Sequence, residues 1–385
     1  MADMNNADIL ILGGGPAGLS TALHLARLDP SLASRILILE KGHYPRPKLC
    51  AGGLITDAEV ILKRLGLDVT QIPHVDVDTT HFDFAGRGLK IPFGEGHTLR
   101  VIRRDEFDAW LAENARSRGV EIREGITVKA VIPDPDGVTV ETDAGTFRAQ
   151  IVVGADGSNG VTRRCILPNE PLSTSRTLEV ITPSPNIGGG LGGGDAYFDF
   201  FPVPQNVAGY VWDFPTQVKG QPMRCWGVYD SNLLADQKRP ALKNLLAGEM
   251  SKKGYNLDDC EIQSHPIRWY EPQKQIAVPR VLLVGDAAGV DSFFGEGLSP
   301  ALGYGAVAAQ EIAESFQRNE FSFRGYKNRV AFGGLGQTLF ARWLVTQTLY
   351  PLKWAWFQFL VWRILQPLVI VIAWVFILNW SKRLK

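Results

Sequence analysis

Asp8-Ile9-Leu10-Ile11-Leu12-Gly13-Gly14-Gly15-Pro16-Ala17-Gly18 decides the fold. A short apolar run stops on a glycine turn, and Leu19 to Leu28 follows with helical periodicity, so the order is strand, turn, helix. Gly13 suits the tight bend, Gly15 lets the backbone approach a pyrophosphate, and Gly18 lets the helix pack closely on the strand. The helix N-terminus, opened by Pro16 and Ala17, then faces phosphate charge. Arg35-Ile36-Leu37-Ile38-Leu39 reads as a second parallel strand. It ends on Glu40-Lys41, with Glu40 lying 22 residues beyond Gly18, where an acid that accepts hydrogen bonds from an adenosine ribose belongs.

Two later segments repeat this grammar of buried strand, small residue and carboxylate. They are Ile151-Val152-Val153-Gly154-Ala155-Asp156-Gly157-Ser158 and Val281-Leu282-Leu283-Val284-Gly285-Asp286-Ala287-Ala288-Gly289. Each puts an acid at the carboxyl end of a strand, where open α/β sheets bind ligands. Taken singly, either segment also reads as a plain strand followed by a turn. By contrast, Gly188 to Gly194 holds six glycines with no parallel strand before it and no helix after it. That run is expected to be a loop between sheet strands and not a second nucleotide cradle.

Composition narrows the class. The 385 residues are 45% apolar, and 40 basic residues balance 40 acidic ones without long runs of one sign, which argues against a nucleic-acid partner. Cys50, Cys165, Cys225 and Cys260 are far apart and the six histidines are scattered, so no metal site is expected and the domain suits a reducing compartment.

Four motifs occur in a fixed order: the opening glycine turn, Arg104-Asp105-Glu106-Phe107-Asp108 ahead of a helix, Gly154 to Ser158, and Gly285 to Gly289. In this the chain resembles the FAD-dependent flavoprotein group that contains p-hydroxybenzoate hydroxylase. Three more segments resemble its geranylgeranyl reductase branch: Pro45-Arg46-Pro47-Lys48-Leu49-Cys50-Ala51-Gly52-Gly53, Gly209-Tyr210-Val211-Trp212-Asp213-Phe214-Pro215 and Phe294-Gly295-Glu296-Gly297-Leu298. The chain departs from the branch at Ala51, where glycine is usual, and at Val290-Asp291-Ser292-Phe293, where a proline-containing stretch often stands.

The resemblance covers roughly residues 7 to 330. It implies an α/β fold in which an FAD-binding Rossmann-like domain (about 7–60, 100–165 and 275–320) is interleaved with a mixed or antiparallel-sheet substrate domain (about 61–99 and 166–274). It places Arg104 at the FAD pyrophosphate and Asp286 at the ribityl or pyrophosphate region. Arg46, Lys48, Cys50, Ala51 and Gly52 then line the cofactor beside a reaction chamber, and Asp156, Gly157 and Gly285 complete its surroundings.

A reduced flavin carries negative charge that needs a stabiliser. Gly295, Gly297 and Leu298 open a long apolar-periodic helix whose first N–H groups can face that charge. Glu296 in the same turn also stabilises the helix without any catalytic role. Reduction of an isolated isoprenoid alkene needs a proton donor opposite the flavin, and Cys50 is the candidate, a small thiol compatible with apolar surroundings. Tyr210, Trp212 and Phe214 alternate along one strand and project from one face, as walls of an apolar tunnel or as plain core.

From Trp343 onward the composition changes, and six of the ten tryptophans lie between Trp343 and Trp380. Ile364 to Trp380 is an uncharged run of 17 residues, which as helix would measure about 26 Å against roughly 30 Å of hydrocarbon. Residues 331–385 are therefore expected to form a membrane-associating C-terminal hydrophobic helical tail, with the catalytic domain on the cytoplasmic side. Cutting at residue 343 should leave a water-soluble flavoprotein.

The expected activity is FAD-dependent saturation of double bonds in a geranylgeranyl-type lipid, or in a prenylated quinone or pigment, drawn from a membrane. An FAD monooxygenase on a lipophilic ring, a quinone-linked electron-transfer flavoprotein and a non-catalytic prenyl-lipid-binding flavoprotein are the alternatives. With no second dinucleotide motif, NADPH as donor would bind transiently to the FAD domain; a ferredoxin-like donor is the other option.

Overall fold

The computed structural model describes residues 5–92, 96–171, 173–184 and 194–384, so the glycine run at 188–194 lies outside the described residues except for Gly194. The opening apolar run is strand β1 (Asn5–Leu12) and the following helix is α1 (Pro16–Leu28), with Pro16 in the first turn, where a helix has no use for its N–H. Gly13 has φ 109°, and a Cβ there would stand 2.4 Å from the Ala155 carbonyl oxygen. At Gly18 a Cβ would stand 2.1 Å from the Gly13 carbonyl oxygen, so the helix sits on the turn as closely as backbone permits.

Strands β2 (Ile36–Glu40), β3 (Glu121–Glu124) and β4 (Gly145–Gly154) build the parallel sheet around β1, with α2 (Arg104–Arg116) ahead of β3. β1 lies between β4 and β2, parallel to both, and Val281–Leu283 extends the parallel sheet beyond β4. Ile9, Leu10, Ile11 and Leu12 are wholly buried because helices or strands cover both faces of this central strand. Burying each such side chain contributes about 2 kcal/mol.

A second, seven-stranded sheet contains β5 (Thr174–Pro183), β6 (Gly209–Val218), β7 (Gln221–Asp230) and β8 (Gln263–Arg268), in the spatial order β8-β5-β7-β6, followed by Ala196–Asp199, Thr79–Asp83 and Gly88–Pro92. β5 to β8 pair antiparallel with their neighbours in this run, while Ala196–Asp199 runs parallel to Thr79–Asp83. A three-stranded sheet of Gly53–Leu54, Leu99–Ile102 and His74–Val77 stands beside them. The architecture is mixed α/β with several sheets.

The C-terminal region departs from the tail read in the sequence. Helices α3 (Leu298–Arg318) and α4 (Gly334–Leu349) join the core, α3 against α1 through a hydrogen bond from Ser20 Oγ to the Leu302 carbonyl of 2.8 Å. Arg342 of α4 is buried and donates to Asp291 and Glu296 at 2.9 and 3.0 Å. Trp380 is fully buried over Gly303, the Asp57 carboxylate accepts from the N–H groups of Asn379 and Ser381, and Trp362 stacks on Phe200 at 4.1 Å.

The uncharged run is no continuous helix either. The helix Gln366–Ile372 starts after a break at Leu365, continues as a wider helical turn at Ala373–Ile377, and ends before Asn379 at φ 60°. Among the described residues no single helix is long and apolar enough to cross a membrane; Ala355–Ile364 and Gln366–Arg383 form a pair bent by 77°. What the bend leaves outside is apolar: Trp356, Trp374 and Val371 are 64%, 66% and 57% exposed.

Candidate active site

The glycine turn carries β1 into α1, whose N-terminus has no side-chain cap. Two arginines converge on it. A Cβ placed on Gly15 would meet only Arg46 Nη2 at 3.9 Å and Arg104 Nη2 at 4.0 Å. One buried carboxylate, Asp108 of α2, holds both guanidinium groups: Arg104 binds it through two bonds of 2.8 Å, and Arg46 Nη2 lies 3.3 Å from it. An uncapped helix end flanked by two anchored guanidinium groups is built for an anion, and the residues present fit a pyrophosphate. Asp108 stands inside a motif read in the sequence, but its anchoring role shows only when Arg46 arrives from another segment.

Glu40 sits at the end of β2, as read. Its carboxylate accepts from the N–H groups of Gly14 and Gly42 at 2.8 and 2.9 Å and pairs with Arg46 at 3.1 Å, so it braces the turn from behind. Lys41 is exposed. Asp156 spends one oxygen on the N–H and hydroxyl of Thr162 at 2.8 and 2.9 Å, while its buried Oδ1 has no protein partner. Gly157 follows at φ 81° with nothing near the Cβ position. Asp286, in the turn beginning at Gly285, accepts from Ser158 Oγ at 3.1 Å. Its Oδ1 is 3.4 Å from the Cβ position of Gly297, so the third carboxylate motif and the start of α3 meet.

The start of α3 is more crowded than its glycines suggest. Glu296 accepts from Ser299 N–H at 2.7 Å and Ser299 Oγ at 2.6 Å, which makes it a helix cap as well as a partner of Arg342. Pro300 has no N–H, so Leu298 N–H is the helical first-turn donor left facing the turn. Three tyrosine hydroxyls fix the loop before it. Tyr229 donates to the Ser292 carbonyl and Tyr350 to that of Phe293, each at 2.7 Å, and Tyr210 donates to that of Phe294 at 2.5 Å. Gly295 (φ 66°) lies against the Tyr229 ring.

Tyr210, Trp212 and Phe214 do share one face of β6, and all three are buried among Phe198, Phe200, Phe293 and Phe294. They form a packed aromatic wall. The segment from Pro45 to Gly53 lies across the same sheet: Lys48 Nζ donates to His265 Nε2 of β8 at 2.8 Å. Burial and the neighbouring ammonium hold His265 down at about 4, so the imidazole is neutral and accepts; burial also lowers Lys48. Cys50 is half-buried and its sulfur accepts from Gly52 N–H at 3.4 Å, with Ala51 and Gly52 beside it. Burial pushes its thiol up, and Arg104 pulls against that rise. Cys50 is therefore a thiol, not a thiolate, at neutral pH.

Sequence reading missed Glu179 of β5. It is 4% exposed, and burial lifts its carboxyl to about 7 although Arg103 draws it down; the backbone N–H of Cys50 and the Cys225 thiol face it. A lone acid inside Thr177-Leu178-Glu179-Val180-Ile181 was the available signal. Among the described residues no group of His, Cys, Asp and Glu side chains could hold a metal ion.

A family model described as an FAD binding domain matches residues 6–298. Among curated proteins, an uncharacterized protein of Methanosarcina barkeri is 28% identical over 331 residues, 86% of this chain and 80% of that one. The digeranylgeranylglycerophospholipid reductase of Thermoplasma volcanium is 26% identical over 353 residues, covering 83% and 81%. Among solved structures, a geranylgeranyl bacteriochlorophyll reductase-like protein of Thermoplasma acidophilum superposes with a TM-score of 0.77 at 20% identity, over 98% of this chain and 94% of that one.

Proposed function

The chain belongs to the FAD-binding-domain family of FAD-dependent oxidoreductases, and from that premise we propose that it saturates carbon–carbon double bonds of a polyprenyl lipid at a membrane surface. What supports this reading is Cys50, a thiol that burial holds up, next in the chain to Ala51, which packs against the aromatic wall, within a fold shared with geranylgeranyl reductase-like relatives. Bound FAD, once reduced, supplies hydride. The chain's own residues do the rest. Arg46 and Arg104 would hold the pyrophosphate at the start of α1, and Leu298 N–H with the α3 dipole would stabilise negative charge on the reduced flavin. The aromatic wall excludes water from the alkene. Cys50 gives a proton to the carbon that does not receive hydride.

The exposed apolar surface of the bent C-terminal pair supports docking on the cytoplasmic side of a membrane, where the substrate is dissolved. We assign electron delivery to NADPH binding transiently at the FAD domain, with reduced ferredoxin as the comparison donor in assay.

The test is turnover under strict anoxia. Chemically reduced enzyme and a geranylgeranyl lipid are expected to give products heavier by two hydrogens per bond reduced. Loss of all turnover without oxygen would remove the reductase reading and favour a monooxygenase. Within that assay Cys50→Ser should keep stoichiometric FAD and slow substrate reduction by about 10²-fold, the usual worth of one general acid. Reduction at the parent rate would dismiss Cys50 as the donor.

A further inference from the structure

We propose that Glu179 is the buried acid that returns a proton to Cys50 after each reduction, so that two side chains, Glu179 and then Cys50, form the proton path into the chamber. This rests on the reductase reading above. β5 lies between β7 and β8, and in register Glu179 stands opposite Gly227 on one side and Gln263 on the other. Gly227 is in turn opposite Trp212, whose indole lies over it; a Cβ at 227 would meet that ring at 2.0 Å. Residues opposite one another share a face, so Glu179 points to the side of the sheet that carries the aromatic wall. Its carboxylate joins no ion pair among the described residues, and the groups that face it come from three elements. These are the Cys50 N–H, the Cys225 thiol of β7 and the more distant Arg103 guanidinium ahead of α2; Gln263 of β8 is uncharged. Cys50 itself faces Arg104, Gly52 N–H and Glu179.

An unpaired acid buried on an apolar face is costly to keep. Here it faces the backbone N–H of Cys50 and raises that residue's thiol, the one that the reaction would leave charged. The balance closes. One alkene carbon takes hydride from reduced FAD, which is left oxidised by two electrons. The other carbon takes the Cys50 proton as the S–H bond breaks. The thiolate then takes the Glu179 proton, and the carboxylate is reprotonated from solvent. With its carboxyl near 7, Glu179 is protonated in a usable fraction at neutral pH, whereas an ordinary glutamate would be almost wholly ionised.

Glu179→Gln in the full-length holoenzyme tests this with three readouts. Infrared titration of the parent should show a buried carboxyl band with a midpoint near 7 that is absent from the variant. Iodoacetamide labelling, followed on the Cys50 peptide by mass spectrometry, should shift to lower pH and run severalfold faster at pH 8, because the carboxylate that raises the thiol is gone. Anaerobic reduction by the parent should fall as pH rises through 7. The variant should be slower at pH 6 and lack that limb, and Glu179→Asp should restore it. An unshifted labelling profile, or a parental pH–rate profile in a variant that still reduces substrate, overturns the relay and leaves the reductase reading standing. No anaerobic reduction by the parent, with the labelling shift intact, overturns the reductase reading and the relay with it, while the coupling of Glu179 to Cys50 remains measured.

Discussion

Gly15→Val is expected to give a folded protein that purifies without yellow colour. Gly15 has φ −86° and ψ −177°, a conformation open to any residue, and a Cβ there meets no backbone. The fold therefore tolerates valine, unlike a side chain at Gly13 or Gly18. What the branched side chain fills is the space between the helix N-terminus and the Arg46 and Arg104 guanidinium groups. An anion placed there loses both the close approach to backbone N–H groups and room beside the arginines. A loss of about 3–4 kcal/mol, or some hundredfold to thousandfold in Kd, suffices to strip FAD during purification. Flavin absorbance per mole of folded protein is the measurement, with circular dichroism to establish folding. A stoichiometric yellow variant would move the pyrophosphate elsewhere.

Deleting residues 343–385 should yield aggregated, flavin-free protein. The deletion removes Tyr350, Trp362, Ile377 and Trp380 from the core and leaves the Asp57 carboxylate without its two N–H donors. Losing each large buried side chain costs about 2–3 kcal/mol, so four of them approach the whole margin of about 5–15 kcal/mol that holds a folded chain. Arg342→Ala alone should cost about 3–5 kcal/mol, because Asp291 and Glu296 would be left as buried carboxylates without their cation. The proposed membrane docking is separable from this. Replacing exposed Trp356, Val371, Trp374 and Phe376 together by Gln or Ser should preserve flavin and thermal stability while weakening vesicle binding by about a hundredfold or more. Sedimentation with anionic vesicles measures it. Undiminished binding would refute docking through this surface, and a soluble yellow truncation would show the C-terminal helices to be dispensable.

The nucleotide-binding half was legible because its constraints are local. Gly13, Gly15 and Gly18 are read within a few residues of one another, and the strands before Glu40, Asp156 and Gly285 are continuous apolar runs. The site was legible only as a set of parts. Asp108 binds two arginines that sit 62 and 4 residues away from it, and Glu179 acquires its meaning from Cys50 and Cys225, which register and packing bring together from far along the chain. Period-two reading places an acid inward or outward only once the buried face is known. The C-terminal region was legible only in part, for a different reason. Composition reports how apolar a run is but not where it turns, and the 77° break at Leu365 and the left-handed Asn379 divide the apolar stretch into a bent pair and a buried end.

The three tyrosine hydroxyls that seize successive carbonyls of the loop at 292–294 come from two places: Tyr210 and Tyr229 from the sheet, and Tyr350 from just beyond α4. Arg342 and Thr346 of α4 grip the same loop through Asp291 and Ser292. The loop that leads into the start of α3 is thus gripped from one side by the seven-stranded sheet and from the other by α4 and the chain just beyond it. Such an arrangement makes cofactor occupancy and C-terminal docking thermodynamically linked quantities. If the proposed docking favours the loop geometry that binds cofactor, a bound cofactor must favour docking in equal measure and with the same sign.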